Sequence, residues 1–446
     1  MGGDSDGPKV AITPQSTKVT SGTEVQEKLI VAARVFSDLL KPTFGPRGLD
    51  KMLYKTDGTT AVTNDGAKIV AELLVRHPAA KMMVSMAESQ EEDCGDGVTT
   101  TMLLCGSLLI EANNLFRKGL HPLTLVDGYQ SSLQTARLQI ESDLRKCDEK
   151  KLLEVAETSL RGKVADTALG SFPPLIVKAL STVLDNRGEA SAQHVSMFKS
   201  GTGSIRDSRL INGIILRRRV LMDTLPNDLR DAKVICLNGE LKIREMSRDA
   251  EMKITTADDL DSFIEAEKDR KEEISRSILE SGAKVVLCSG EIDKDVLHML
   301  CEKSVLVVEG LDPSELRNAS GATGARIVES PLDIAESDLG QCGSASWERK
   351  PASNEVEDVI RIEGCPNPSV VTIEIGGAGE TGTEEVIRGI HDSLRSTSLA
   401  LNEYVLPGAG AIHSRIAHAV RLASEKQAGR ERLAMEAFAR AMETIP

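Results

Sequence analysis

The sequence predicts a multidomain chain of mixed α and α/β class, helical towards both ends with an α/β layer domain between. Three observations carry this. Apolar residues recur at helical spacing through the first 145 residues and again from about residue 383 onward. Short apolar runs of strand length cluster in the middle, with helical stretches between them. The chain has 446 residues, enough for about three domains and for a large core without staples.

The elements follow in order. The stretch to about Ser16 is polar and glycine-rich and reads as loose chain. From Thr23 a helix is predicted, because Val25, Leu29, Ile30, Phe36, Leu39 and Leu40 fall at helical spacing. Pro42, Gly45, Pro46 and Gly48 break it. Asp57-Gly58 between Lys51–Thr56 and Thr59–Thr63 predicts a hairpin. Segments 67–76, 79–92, 98–118 and 123–145 read as successive helices. Lys233–Leu237, Lys284–Cys288, Val305–Val308 and Arg326–Val328 read as buried strands. A strongly charged helix spans Asp258 to Ser281, a solvated face by composition. After a strand at Ser369–Ile375, helices return at 383–404, 411–425 and about 430–444.

Composition excludes several function classes. Lys+Arg is 54 against 68 Asp+Glu, a net charge of -14 that disfavours a broad nucleic-acid surface. One Trp, three Tyr and seven Phe are too few for base-stacking platforms. No basic start followed by an apolar run marks a secretory signal, and no apolar stretch reaches a membrane span. None of the eight cysteines forms a CxxC pair, so reduced thiols in a cytoplasmic protein are expected. Cys105, Cys236 and Cys288 lie in apolar runs and read as small buried hydrophobes.

Five segments carry possible chemistry. Gly95-Asp96-Gly97-Val98-Thr99-Thr100-Thr101 opens an apolar helix. Its glycines would let backbone N–H groups approach an anion, the helix N-terminus adds donors, and Asp96 could hold Mg²⁺. The same residues also suit a plain helix cap, and the segment alone leaves both open. No Walker A loop is present. Thr43-Phe44-Gly45-Pro46-Arg47-Gly48 reads by itself as a connector, and Asp65 in Asn64-Asp65-Gly66 as a helix cap. Gly408-Ala409-Gly410 precedes a helix, and Asp392 sits in a helix beside Ile387, Ile390 and Leu394.

Together these segments resemble one family. KPTFGPRGLDKML (41–53), TNDGAKI (63–69), HPAAKMMVSMAESQEEDCGDGVTTT (77–101), GLHPLTLVDGY (119–129), TSLRGKVAD (158–166), SGATGARIV (320–328), HDSL (391–394) and GRERLAMEAFARAMETIP (429–446) are similar to group II chaperonin subunits, the thermosome and TRiC/CCT family. The resemblance runs from about residue 18 to the last residue. It implies a helical equatorial ATP-binding domain (1–148 and 402–446), a small intermediate domain (149–212 and 369–401) and an apical α/β domain (213–368) with a helical lid protrusion. It further implies identical or homologous subunits in two stacked rings, with ATP and Mg²⁺ driving closure over non-native client proteins. Nucleic acid and membrane are not expected as partners.

Carried over by position, Thr43, Gly45 and Pro46 would lie along the phosphates. Gly95, Gly97, Thr99 and Thr100 would cradle them, and Asp96 would coordinate Mg²⁺. Asp65 and Asp392 would orient the attacking water, Lys163 would sense the γ-phosphate, and Gly408 and Gly410 would sit near the nucleoside.

The sequence departs from the family at Val98, where a Thr is usual, and at Ala409, the middle of a triple-glycine turn. Arg217-Arg218-Arg219 is unusually basic. The family's chain continues past the match to METIP, so an equatorial domain lacking its C-terminal part is expected, with the stripe Leu433–Ile445 short of covering elements. Two readings follow: an ATP-hydrolysing chaperonin subunit, or a shortened, hydrolysis-impaired relative acting in protein binding or assembly. A small-molecule kinase or dehydrogenase ranks last, for want of a Walker lysine or a Rossmann fingerprint.

Overall fold

The computed structural model describes residues 23–45, 47–54, 60–161, 170–242, 257–351, 356–377 and 380–446. The chain divides into two compact units, Met1–Arg145 with Val405–Pro446, and Lys146–Tyr404. The unit that opens the chain therefore also closes it.

In the first unit, α1 (Thr23–Leu40) buries Ile30, Ala33, Phe36 and Leu40, one stripe at helical spacing. A tight turn at Lys41–Thr43 ends it, set by Pro42. Strands β1 (Lys51–Tyr54) and β2 (Thr60–Thr63) pair antiparallel, Lys51 opposite Thr63 and Tyr54 opposite Thr60. The Asp57-Gly58 turn lies outside the described residues. Then come α2 (Gly66–Ala71), α3 (Pro78–Cys94), α4 (Val98–Arg117), α5 (Pro122–Asp143) and the two-residue β3 (Arg145–Lys146). The expected helix at 67–76 stops at Ala71. Before Pro78 the backbone is extended, with ψ 134 at His77, as the residue preceding a proline favours. Pro78 and Pro122 each open a helix, and His77 and His121 cap them through Nδ1, which accepts from the N–H of Ala79 and Leu123.

The second unit begins with α6 (Glu149–Leu160) and α7 (Phe172–Arg187), followed by β4 (Val195–Lys199), β5 (Arg209–Ile211), β6 (Gly213–Arg217) and β7 (Asp228–Leu237). Next are α8 (Ala257–Glu280), β8 (Val285–Cys288), α9 (Lys294–Glu302), β9 (Leu306–Val308), α10 (Pro313–Thr323) and β10 (Ile327–Val328). The unit ends with β11 (Gly340–Pro351), β12 (Val356–Glu363), β13 (Val371–Ile375) and α11 (Glu380–Asn402). One sheet runs β6-β12-β11-β7-β8-β9, with β10 also on β7. The pairs β7–β8, β8–β9 and β7–β10 are parallel, and those linking β6, β12, β11 and β7 are antiparallel. The four strands expected in this region all take part in parallel pairs, and β8 and β9 are wholly apolar and buried, as strands covered on both faces are. A second sheet, β4-β13-β5, packs with α7 and α11, and α6 packs on those two helices.

After β14 (Tyr404–Val405) the chain closes with α12 (Ala411–Glu425) and α13 (Glu431–Met442). The final stripe is covered, contrary to expectation. Ala434, Met435, Ala437, Phe438, Ala441 and Met442 are buried, while Leu433 is 47% exposed. α13 packs on α4, α5 and α12, and Phe438 meets Tyr129 edge-on at 5.7 Å. The small residues Gly128 and Ala434 permit this close approach: a Cβ on Gly128 would stand 2.5 Å from that of Ala434. The Tyr129 hydroxyl donates to the Leu108 carbonyl at 2.8 Å, so its polar end is satisfied.

Candidate functional site

Three of the chemistry-bearing segments meet within the first unit. The turn Lys41–Thr43 packs on α4, and α2 packs on α3 and α4. Thr43 is buried, its hydroxyl donating to the Leu40 carbonyl at 2.7 Å. Gly45 is exposed with φ 87, a conformation suited to glycine. Gly48 closes this loop, its N–H donating to the Gly45 carbonyl at 2.9 Å. Only glycine fits there, because a Cβ would lie 2.1 Å from the Thr43 carbonyl oxygen. Pro46 lies outside the described residues.

Asp65 caps α2: its side chain accepts from the Ala67 N–H at 3.0 Å, and its own N–H donates to Thr63 Oγ1 at 3.2 Å. This fixes a half-buried carboxylate at a helix N-terminus. The next residue, Gly66, is pressed against Thr99 in the first turn of α4. The N-termini of two helices, each with its dipole's positive end, thus converge.

The loop between α3 and α4 is three residues long: Gly95, Asp96 and Gly97. Gly95 (φ 70) ends α3 and Gly97 (φ 85) starts α4. Asp96 Oδ1 accepts from the Gly97 N–H at 2.8 Å, and the Asp96 carbonyl accepts from Gln90 Nε2 at 3.0 Å. The cap reading of this segment is therefore corrected. The cap residue is Gly97, and no side chain caps α4. Thr99 and Thr100 follow, half-buried, in the first turn. Val98 is buried in an apolar cluster with Phe36, Val70 and Met102, so its departure from Thr trades a hydroxyl for core packing.

The remaining candidates lie elsewhere. Gly408 is exposed, and Gly410 (φ 75) starts α12, where a Cβ would stand 2.7 Å from Pro446 Cα. Asp392 is on α11 in the second unit and is only 5% exposed. Lys163 lies outside the described residues. Gln90 and Gly66 were not legible as site residues: one is a polar residue in a charged helix, the other a single helix-opening glycine, and both matter only through tertiary contacts.

The donor set can be tested against a divalent cation with a phosphate ligand. Among the described residues no group of three His, Cys, Asp or Glu could hold a metal alone. Mg²⁺ characteristically takes one or two carboxylates and completes its shell with phosphate and water, so Asp96 beside an uncapped helix N-terminus fits. Also among the described residues, no helix is long and apolar enough to cross a membrane.

The chain is similar to known proteins over most of its length. The TCP-1/cpn60 chaperonin family model matches residues 36–446. A thermosome subunit of Methanopyrus kandleri is 36% identical over 448 aligned residues, covering 99% of this chain and 82% of that protein. The thermosome subunit alpha of Archaeoglobus fulgidus is 36% identical, with 99% and 81% covered. The thermosome subunit beta of Desulfurococcus mucosus is 35% identical, with 96% and 86% covered. With the mixed helix-and-sheet fold, these matches show that the chain belongs to the TCP-1/cpn60 chaperonin family, among the group II chaperonin subunits.

Proposed function

We propose that this chain is an ATP-hydrolysing chaperonin subunit that works with like subunits in stacked rings enclosing non-native proteins. Family membership implies nucleotide binding. The observation that carries the finer reading is the contact of Gly66 with Thr99, which brings the Asp65 carboxylate and the glycine loop of Asp96 to one locus.

Each residue then has a chemical task. Gly95, Gly97, Thr99 and Thr100 offer backbone and hydroxyl donors to phosphate oxygens, with Thr43, Gly45 and Pro46 along their flank. Asp96 holds Mg²⁺, which supplies neutralisation of phosphate charge. Asp65, fixed by its cap bonds, and Asp392 orient the attacking water and accept its proton. Lys163 reads the terminal phosphate, and Gly408 and Gly410 border the nucleoside. The proposal assigns 1–148 with 402–446 to the nucleotide domain, 149–212 with 369–401 to an intermediate domain, and 213–368 to a client-binding domain. Asp392 then belongs to the intermediate domain, which ties hydrolysis to domain closure. Cytoplasmic location is part of the same reading. The hydrolysis-impaired alternative is not favoured, because both carboxylates proposed for the water are retained.

The test is ATP turnover and refolding of a denatured client by the purified protein, with Asp65→Ala and Asp392→Ala beside it. Each variant is expected to lose about 10²-fold or more in kcat while still binding Mg-ADP. Wild-type turnover in Asp392→Ala would remove that residue from the mechanism.

A further inference from the structure

The α3–α4 loop holds a contact that the roles above do not use. Gln90, half-buried in the last turns of α3, donates from Nε2 to the Asp96 carbonyl at 3.0 Å. That carbonyl and the Gly97 N–H belong to one planar trans peptide, so they point in opposite directions. Fixing the carbonyl towards Gln90 fixes the N–H away from it, on the side where it meets Asp96 Oδ1 at 2.8 Å. Both neighbouring residues are glycines or flanked by glycine, with positive φ at Gly95 and Gly97, so the backbone itself gives this peptide little resistance to flipping. A flip would turn a carbonyl oxygen towards the Asp96 carboxylate and release it from the N–H that now holds it. The fit around Gln90 is also tight: a Cβ on Gly97 would lie 3.3 Å from Nε2.

We propose that Gln90 is a positioning residue for the nucleotide site, holding the Asp96–Gly97 peptide in the orientation in which its N–H bonds and aims the Asp96 carboxylate. The inference rests on the nucleotide-binding reading above. Gln90 bonds the backbone of Asp96 and leaves the carboxylate's metal role to Asp96 itself.

The experiment compares the full chain with Gln90→Met, which keeps the volume and removes the donor, and Gln90→Glu, which sets an acceptor against the carbonyl. Mg-ADP affinity, ATP kcat and KM, and thermal melting are measured for each at neutral pH. Gln90→Met is expected to weaken Mg-ADP binding and raise KM about fivefold to tenfold, with a smaller change in kcat and an unchanged melting temperature. Gln90→Glu is expected to lose more than Gln90→Met, because it sets an acceptor against the Asp96 carbonyl where Met only removes the donor. Unchanged affinity in both variants overturns the proposal. So does a loss that merely tracks a lowered melting temperature, or a Gln90→Glu variant that binds Mg-ADP as tightly as the wild type. A wild-type chain that binds no Mg-ADP overturns the functional reading and this inference with it, whereas wild-type binding with unaffected variants overturns this inference alone.

Discussion

Gly66 and Thr99 touch so closely that a Cβ on Gly66 would stand 2.2 Å from Thr99 Oγ1, and 3.2 Å from the Thr99 backbone nitrogen. This contact locks the N-terminus of α2 to that of α4. The first clash is with a side-chain tip that can rotate, while the second is with backbone that cannot. Gly66→Ala is therefore expected to displace the Thr99 hydroxyl and cost about 1–2 kcal/mol by overpacking. Removing the hydroxyl as well, in Gly66→Ala with Thr99→Ala, should recover part of the stability but not the nucleotide affinity. Melting and Mg-ADP titration of the two singles and the double make this a double-mutant cycle. Additive stability changes would show that the two residues do not couple.

Ala409 holds φ 53, left-handed backbone that costs a residue with a Cβ roughly 1 kcal/mol. The turn still demands a glycine geometry that this sequence does not supply. Ala409→Gly is expected to stabilise the protein by less than about 1 kcal/mol, since relief of strain is partly offset by the entropy of the unfolded glycine. Gly410→Ala should do the reverse and by more, combining φ 75 with a Cβ 2.7 Å from Pro446 Cα. Urea unfolding of both variants checks the sign.

Legibility in the sequence followed the kind of signal each element carries. α1 and the parallel strands were visible because local spacing and wholly apolar runs mirror burial directly. The long hairpin β11–β12 was not: Gly340–Pro351 is polar and glycine-containing, and it becomes a strand only by pairing with β7 on one side and β12 on the other. In the site, Asp65 could be read as a cap from its own neighbours. Gln90 could not, because its partner carbonyl is defined by the loop's fold. The burial of α13 was missed for a related reason: its cover comes from α4 and α5, some three hundred residues earlier in the chain.

The cysteines offer a third test. All eight are free, and Cys236, Cys288, Cys342 and Cys365 are buried. Burial pushes their thiols up, to about 12 for Cys236 and Cys365 and about 11 for Cys288 and Cys342. At pH 8 these four should resist an aromatic disulfide reagent in the folded protein and react at once in denaturant, because only the thiolate attacks. Mass spectrometry after brief labelling reads which cysteines carry the adduct. Rapid modification of Cys236 in the native protein would contradict its place in the sheet core.

Acid sensitivity follows from Asp358, whose carboxylate is fully buried on β12. Burial alone would raise it, but hydrogen bonds from Arg349 at 2.9 Å and from the Val220 N–H at 2.8 Å outweigh this and hold it below the ordinary carboxylate range. Glu374 is held down in the same way: burial opposes, and Arg361 and Arg209 prevail. A carboxyl depressed in the folded state contributes stability that is complete above its unfolded pKa, about 4, and is lost as pH falls through the lower folded value. Stability of the wild type should therefore be flat through neutral pH on this account and decline below about pH 4. Asp358→Asn leaves Arg349 facing a neutral amide. Since the Arg349 side chain is 38% exposed, water screens it, and the cost at pH 7 should be about 2 kcal/mol rather than the ~3–5 of a fully buried pair. The variant's decline in acid should be shallower than the wild type's, because one of the titrating groups is gone. Urea midpoints at pH 7 and pH 3.5 for both proteins measure this, and parallel losses would show that Asp358 is not among the groups that set acid stability.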